Sequence, residues 1–393
     1  MPVPVLVFLL VELLDELAGG AREAAWPFIR REFSLSYLQI GFLIGAPAIL
    51  SAIVEPFLGV LADVRKRRSL VGAGGIIFCV SLFLSSASTG FWLLLLSFVL
   101  FYPASGLFVS LSQAELMDRD PARKEKNMAR WTFAGSAGAV VGPLSLGGAA
   151  GIGFGWRGLY LSVAILSVLA LVLTLRRAFP SSGHEARGDT AQDKLSLLDG
   201  LLGALRALGR GDVLRWLALL EAANLMLDVL FGFLALYFVE VAGFPPEQAA
   251  LAVTVWTAAQ VVGDLLLIPL LDRVDGPGYL RASAGMVAVL FPCFLLAGPS
   301  AVKLILIGLI GLLRAGWYAI LQARLYACLP GRSGIALAVG NLAGSVGAVI
   351  PLGLGALAEL AGLRVAMWAL LAAPLALLVG VPRLRGLPPK ETS

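Results

Sequence analysis

Three carboxylates, Glu12, Asp15 and Glu16, stand inside the first apolar run of the chain, where an ionised group in hydrocarbon costs several kcal/mol. On a helix, 100° per residue puts Glu12, Glu16 and Glu23 on one face, with Asp15 and Arg22 together about 60° round it. One arginine cannot hold all these acids ionised in a partly desolvated setting, so at least one is expected to bind and exchange a proton near neutral pH. The seventh apolar run repeats the theme with Glu221, Asn224 and Asp228 at i, i+3 and i+7, one helix face. In the tenth, Arg314, Trp317, Tyr318 and Leu321 form a polar-aromatic stripe suited to an organic anion or an aromatic body. The same Arg314 could instead pair with Glu221 or Asp228. Tyr102, Gln113, Trp256, Gln260 and Gln322 are further polar or aromatic candidates for the same interior surface.

Other chemistry finds no support. No nucleophile, base and orienting group recur in a catalytic arrangement, and no Gly-x-x-x-x-Gly-Lys-Ser/Thr loop offers a nucleotide site. Enzyme function and cofactors are therefore not expected. Cys79, Cys293 and Cys328 lie in or beside apolar runs without CxxC or Cys/His spacing, which suggests neither disulfides nor a metal site. The single histidine, His184, falls in a polar stretch and reads as solvated. The net charge of +5 comes from bases in short loops, which topology explains without nucleic acid.

These residues need a scaffold, and composition says which kind. With 59% hydrophobic and 14% charged residues, the 393-residue chain is too apolar for a soluble domain and reads as an all-α integral membrane protein. The first run lacks a basic n-region and carries acids within it, unlike a cleaved signal peptide. Spans are expected at 3–29, 37–62, 70–88, 91–116, 130–150 and 157–175, then at 213–239, 247–271, 279–297, 302–327, 333–357 and 364–381. Each is near the ~20 residues an α-helix needs to cross hydrocarbon.

The two sets repeat at a constant offset of 209 residues, that between Asp63 and Asp272. Glu12 falls on Glu221, Gln39 on Gln248, Glu55 on Asp264 and Gln113 on Gln322, and Ala134 to Val141 matches Ala343 to Ile350. Polar matches count most, since any two membrane helices share leucines. A same-direction repeat implies two six-helix bundles of equal topology. The expected organisation is a first bundle over 1–176, a cytoplasmic linker with an amphipathic helix over 177–212, a second bundle over 213–382 and a tail over 383–393. The third and sixth helices of each bundle carry no charge away from their ends and are expected to face lipid.

Bases cluster in alternate loops, at Arg65 to Arg68, Arg119 to Lys126, Arg176 and Arg177, Arg273 and Arg281, Arg324 and Arg332, and Arg383 to Lys390. The positive-inside rule puts those loops and both termini in the cytoplasm. Near that side, Glu55 and Asp264 sit eight residues before Asp63 and Asp272, where bonds to a neighbouring helix end would hold an inner gate. Glu115 and Arg130 flank a short loop as a candidate gate ion pair, and Arg67, Arg68 and Arg273 complete the gating candidates.

The loop Gly59 to Arg68 resembles the cytoplasmic motif between the second and third helices of major facilitator superfamily transporters, usually Gly-x-Leu-Ala-Asp-Arg-x-Gly-Arg-Lys. Gly59, Leu61, Ala62, Asp63, Arg67 and Arg68 match; Val64 replaces a base and Lys66 a glycine. A second stretch, Gly138 to Gly142 and Pro143 followed by Gly147 and Gly148, is similar to the fifth-helix motif of that family's antiporters, with three intervening residues instead of two. Small residues also let helices approach closely in any bundle. The opening, with Leu35 to Gly41, is loosely similar to the fosmidomycin-resistance and related drug-efflux branch.

The resemblance implies a secondary carrier in a bacterial-type inner membrane, working as a monomer by alternating access and exchanging protons for a small organic molecule. Proton- or cation-coupled uptake, metal-ion transport and lipid flipping stay open on the same fold. A non-transporting membrane sensor would not need charged groups at mid-membrane.

Overall fold

The computed structural model describes residues 3–64, 67–119, 124–178, 209–271, 273–328 and 347–382. Among them every regular element is helical. Residues 179–208 of the expected linker, with the stretch expected to form an amphipathic helix and His184, the tail, and Asp272 lie outside the described residues, as do the side chains of Glu55 and Asp63.

The helices are α1 Val3–Phe33, α2 Tyr37–Val64, α3 Arg67–Ser86, α4 Phe91–Ser105, α5 Leu111–Arg119, α6 Lys124–Gly151 and α7 Gly155–Leu173. They continue as α8 Gly211–Asn224, α9 Leu230–Glu240, α10 Pro246–Leu271, α11 Gly276–Leu296, α12 Ser300–Leu313, α13 Trp317–Ala327, α14 Ile350–Ala361, α15 Leu363–Ala369 and α16 Ala372–Gly380. Three single turns of π-helix, Gly106–Ser110, Thr174–Ala178 and Leu225–Val229, join α4 to α5, end α7 and join α8 to α9. A π turn places one extra residue in the helix and is frequent at functional sites; one of these, Leu225–Val229, holds Asp228, singled out above.

Among the described residues, nine helical stretches are long and apolar enough to cross a membrane. The 31-residue α1 is long enough as well, but its acids and bases dilute its hydropathy. The described ends of α2 and α14 supply shorter apolar helices, Tyr37–Ser51 and Ile350–Ala361. Together these overlap the twelve expected positions, of which the eleventh, 333–357, is described only from residue 347. Full backbone hydrogen bonding within each helix is what lets such segments cross hydrocarbon.

Large exposed apolar side chains stand on the uncharged helices and on charged ones alike, the latter including Phe133 on α6, Leu265 on α10 and Ile305 on α12. Ile76, Val80 and Phe83 project from α3, Leu161, Ile165 and Leu169 from α7, Val289 and Leu296 from α11, and Val365 and Val379 from α15 and α16. With lipid as the alternative solvent, apolarity does not drive helices together, so association depends on close packing and small residues.

Two compact units emerge. One comprises residues 1–199, 231–254 and 344–366; the other comprises 200–230, 255–343 and 367–393. The first is built on α1, which packs along α6, with α3, α4 and α7 alongside. Its further segments, α9, the start of α10 and α14, bring α14 against α2. The second unit holds α8, α11, α12, α13 and α16, with most of α10.

Candidate functional site

The α1–α6 interface fixes where the first-helix acids stand. A Cβ on Gly20 would come within 2.6 Å of the Ala139 carbonyl and 2.9 Å of Pro143 Cδ; one on Gly142 would come within 2.7 Å of the Ala21 nitrogen. Gly138 closes in the same way on the Leu13 carbonyl and on Glu16 Cβ. The backbones therefore touch, and the glycines of the fifth-span motif form a seam that carries α1. Gly147 sits by the Glu247 carbonyl at 3.4 Å, whereas Gly148 faces open space.

Along this seam Glu12 lies over Gly135 and beside Trp131. Asp15 turns towards α4, where Ser105 Oγ donates to its Oδ2 at 3.1 Å, leaving Oδ1 buried without a hydrogen-bond partner. Glu16 is exposed. Among the described residues none of the three forms an ion pair.

The base that the sequence offers them is committed elsewhere. Arg22 Nε donates to Glu23 Oε1 at 3.1 Å, and its guanidinium lies 5.2 Å from the Tyr102 ring centre and 5.7 Å from that of Phe98. Glu23 is buried and takes a second bond, 2.9 Å from Trp26 Nε1. A buried charge pair with further bonds to its carboxylate is the arrangement that low dielectric tolerates. It leaves Asp15 and Glu16, about two turns earlier, and Glu12, about three turns earlier, without an ion pair among the described residues.

In the second unit Arg314 is 3% exposed, at the break between α12 and α13. The break is built, not frayed. Gly316 has φ +73°, the left-handed region that favours glycine, and its nitrogen donates to Asp264 Oδ1 at 3.1 Å; Tyr279 Oη donates to the carbonyls of Leu313 and Ala315. The broken helix lies close on α10, since a Cβ on Gly263 would meet the Leu312 carbonyl at 2.6 Å and one on Gly311 the Trp256 carbonyl at 2.8 Å. That approach lays the Arg314 guanidinium over the Trp256 indole, 4.0 Å from the ring centre, with a hydrogen bond to Gln260 Oε1. Arg314 also feels the charges of Asp228 and Asp264.

The break divides the expected stripe. Trp317 is fully buried and its Nε1 donates to Ser283 Oγ at 2.9 Å, so it packs on α11, while Tyr318 is 54% exposed. Asn224 Nδ2 reaches Glu221 Oε2 at 3.4 Å on α8. Gln113 is half-buried on α5, and Gln322 is half-buried on α13, with a buried Oε1 that has no partner.

Among the gating candidates, Arg67 Nη1 pairs with Glu115 Oε2 at 3.0 Å, joining α3 to α5, while Arg130 Nη1 donates to Asn127 Oδ1 at 3.2 Å. Arg68 is half-buried and Arg273 is exposed. At the far end of α1 a second cluster was not legible as a site. Arg30 and the Tyr37 hydroxyl both bond the Glu240 carboxylate, the Tyr37 nitrogen donates to Glu359 Oε2 at 2.9 Å, and Arg30 lies 4.1 Å from the Tyr37 ring centre. Beneath it α2 meets α14 through Gly41 and Gly45, whose added Cβ atoms would stand 2.7 Å and 2.5 Å from the Pro351 and Ala348 carbonyls. The sequence signal was present in small residues at i and i+4 on α2, but their partners lie some 300 positions away.

The sequence profile of the Major Facilitator Superfamily matches residues 17–352. The chain belongs to this superfamily.

Membership places the chain in a superfamily of multi-pass membrane transporters. The quinolone resistance protein NorA of Staphylococcus aureus is 28% identical over 118 residues, 30% of each chain. The inner membrane transport protein YdhP of Escherichia coli is 27% identical over 172 residues, 44% of each. The chain thus spans less than half the length of these superfamily relatives. Among solved superfamily structures, the nucleoside transporter NupG is similar over 95% of this chain and 97% of its own, with a TM-score of 0.77 at 13% identity, a likeness of fold alone.

Proposed function

We propose that the chain is a proton-coupled antiporter that exports a small organic molecule by alternating access, with both termini in the cytoplasm and a single chain as the working unit. One observation carries the coupling part. Glu12, Asp15 and Glu16 crowd one stretch of α1 with no ion-pair partner among the described residues, while Arg22, the nearest base, is held by Glu23. Crowded acids in a low-dielectric setting repel each other when ionised, and a bound proton relieves that. In this reading α1 acids carry the proton ahead of Glu221 and Asp228, and the Arg314, Trp256 and Gln260 group receives the cargo.

Export is supported by the partial likeness to a protein named for quinolone resistance and by the glycine seam of the fifth span, which is similar to the antiporter motif. The Arg30, Tyr37 and Glu240 cluster then closes the outer side while cargo is loaded from within, and the Arg67–Glu115 pair belongs to the inner side.

The test is flux in proteoliposomes. Purified protein with an imposed pH gradient is expected to move norfloxacin against the direction of the protons. Movement of the drug in the direction of proton flow would make the chain an uptake carrier instead, and gradient-independent equilibration alone would remove proton coupling.

A further inference from the structure

Buried polar groups are almost always hydrogen-bonded, so an orphaned donor in a well-packed site calls for an explanation. The second unit holds two side by side. Arg314 Nε and Trp256 Nε1 are both buried and both lack an acceptor, although Arg314 is 3% and Trp256 0% exposed. Their side chains are stacked, with the guanidinium carbon 4.0 Å from the indole ring centre. Ordinary bond lengths then keep the two N–H groups within about 7 Å of each other.

Asp228 and Asp264 act on Arg314 through their charge, and neither bonds its Nε. Gln260 Oε1 takes the Arg314 Nη2 bond and Asp264 Oδ1 takes the Gly316 nitrogen. Gln260 is only half-buried and Asp264 is exposed, so the stacked pair lies one layer below an accessible polar surface. Nor is the backbone loose, because Gly263 and Gly311 lock the broken helix onto α10.

We propose that Arg314 and Trp256 form a receptor for a carboxylate on the transported molecule, one oxygen taken by the guanidinium Nε–H and the other by the indole N–H. Two oxygens on one carbon, each accepting at about 2.9 Å, span the separation of these donors, and a charged acceptor makes the stronger bond. A neutral, oxygen-poor cargo would leave both donors orphaned in the loaded state, each at the full desolvation cost. Specificity of this kind, in which a site built to bond a polar group rejects the analogue lacking it, is among the sharpest available to a binding site.

This rests on the transporter reading above and is tested separately from it. The probes are naphthalene-2-carboxylate and its methyl ester, titrated calorimetrically into the full-length protein in lipid nanodiscs. Wild type is expected to bind the carboxylate at least tenfold more tightly than the ester. Trp256→Phe, which keeps a ring but removes the N–H, and Arg314→Lys, which keeps the charge but removes Nε, are each expected to erase most of that preference. Because Trp256→Phe deletes an orphaned donor, its ligand-free melting temperature is expected to stay level or rise, the opposite of losing a structural hydrogen bond. Equal affinities in wild type, no measurable carboxylate binding, or full preference retained in both variants would overturn the assignment. Proton-driven export of norfloxacin persisting alongside any of those results would show that the receptor has failed and the exporter reading has not.

Discussion

A methyl group placed on Gly135 would stand 2.5 Å from Oε1 of Glu12. The acid is therefore seated on bare backbone of α6, and the glycines that follow at 138 and 142 continue the same contact down α1. What resembles a signature of antiporters acts physically as a bearing surface for the acid-bearing helix. Small residues at an interface are how membrane helices approach closely enough to associate.

Substitutions along that seam should separate by what the new Cβ meets. Gly142→Ala would press on the Leu17 carbonyl and the Ala21 nitrogen, both backbone atoms that cannot step aside, so a loss of about 1–3 kcal/mol is expected. Gly148→Ala, facing open space, should cost a few tenths at most. Thermal unfolding of the two variants in detergent checks this; equal melting temperatures would mean that the seam is not tight.

The cluster of Arg30, Tyr37, Glu240 and Glu359 should hold one state of the transport cycle. A disulfide between α2 and α14, placed at positions flanking the Gly45–Ala348 contact because a Cβ on Gly45 itself would meet the Ala348 carbonyl at 2.5 Å, is expected to form in a background without native cysteines and to stop flux until reduced. Glu240→Gln keeps the shape but loses the charge shared with Arg30, and is expected to slow formation of that cross-link. A cross-linked protein that still transports at full rate would show that α2 and α14 need not part.

Much of this was readable in the sequence, for identifiable reasons. Span positions follow from apolar run lengths, which the bilayer sets. Glu12 and Asp15 stood out because ionisable groups in such runs are rare. By contrast, nothing local foretold that Arg22 would turn to Glu23 and the Tyr102 ring, or that Arg30 and Glu240 would meet across 210 residues. The break at Gly316 was equally hidden, since Arg314 to Leu321 reads as an unbroken helical stripe. That break is what sends Trp317 to Ser283 and leaves Arg314 with Trp256.

Gly316 itself should be intolerant of a side chain. Its positive φ strains any other residue and a Cβ would collide with Leu267 Cδ2, so Gly316→Ala is expected to cost on the order of 1–3 kcal/mol and to weaken ligand binding at Arg314 as the break shifts. Thermal unfolding with and without the naphthalene carboxylate reads both effects. A variant as stable and as tight-binding as wild type would show that the break is not held by this residue.

The Arg67–Glu115 pair is partly exposed, with side chains at 35% and 20%, so its stabilising worth should be no more than about 1 kcal/mol. Its effect is expected on state occupancy instead. Glu115→Arg should change accessibility of inner-side cysteines to a thiol reagent, and combining it with Arg67→Glu should restore the wild-type pattern. Failure of the exchange to restore it would leave the pair without a gating role.

The most direct measurement is pH-gradient-driven flux in proteoliposomes carrying Glu12→Gln, Asp15→Asn or Glu16→Gln, with gradient-free substrate exchange recorded on the same vesicles. At least one of the three substitutions is expected to abolish gradient-driven transport while exchange continues, because removing the titrating carboxylate uncouples the proton without closing the path for the cargo. Full gradient-driven transport in all three would contradict proton coupling through the first helix.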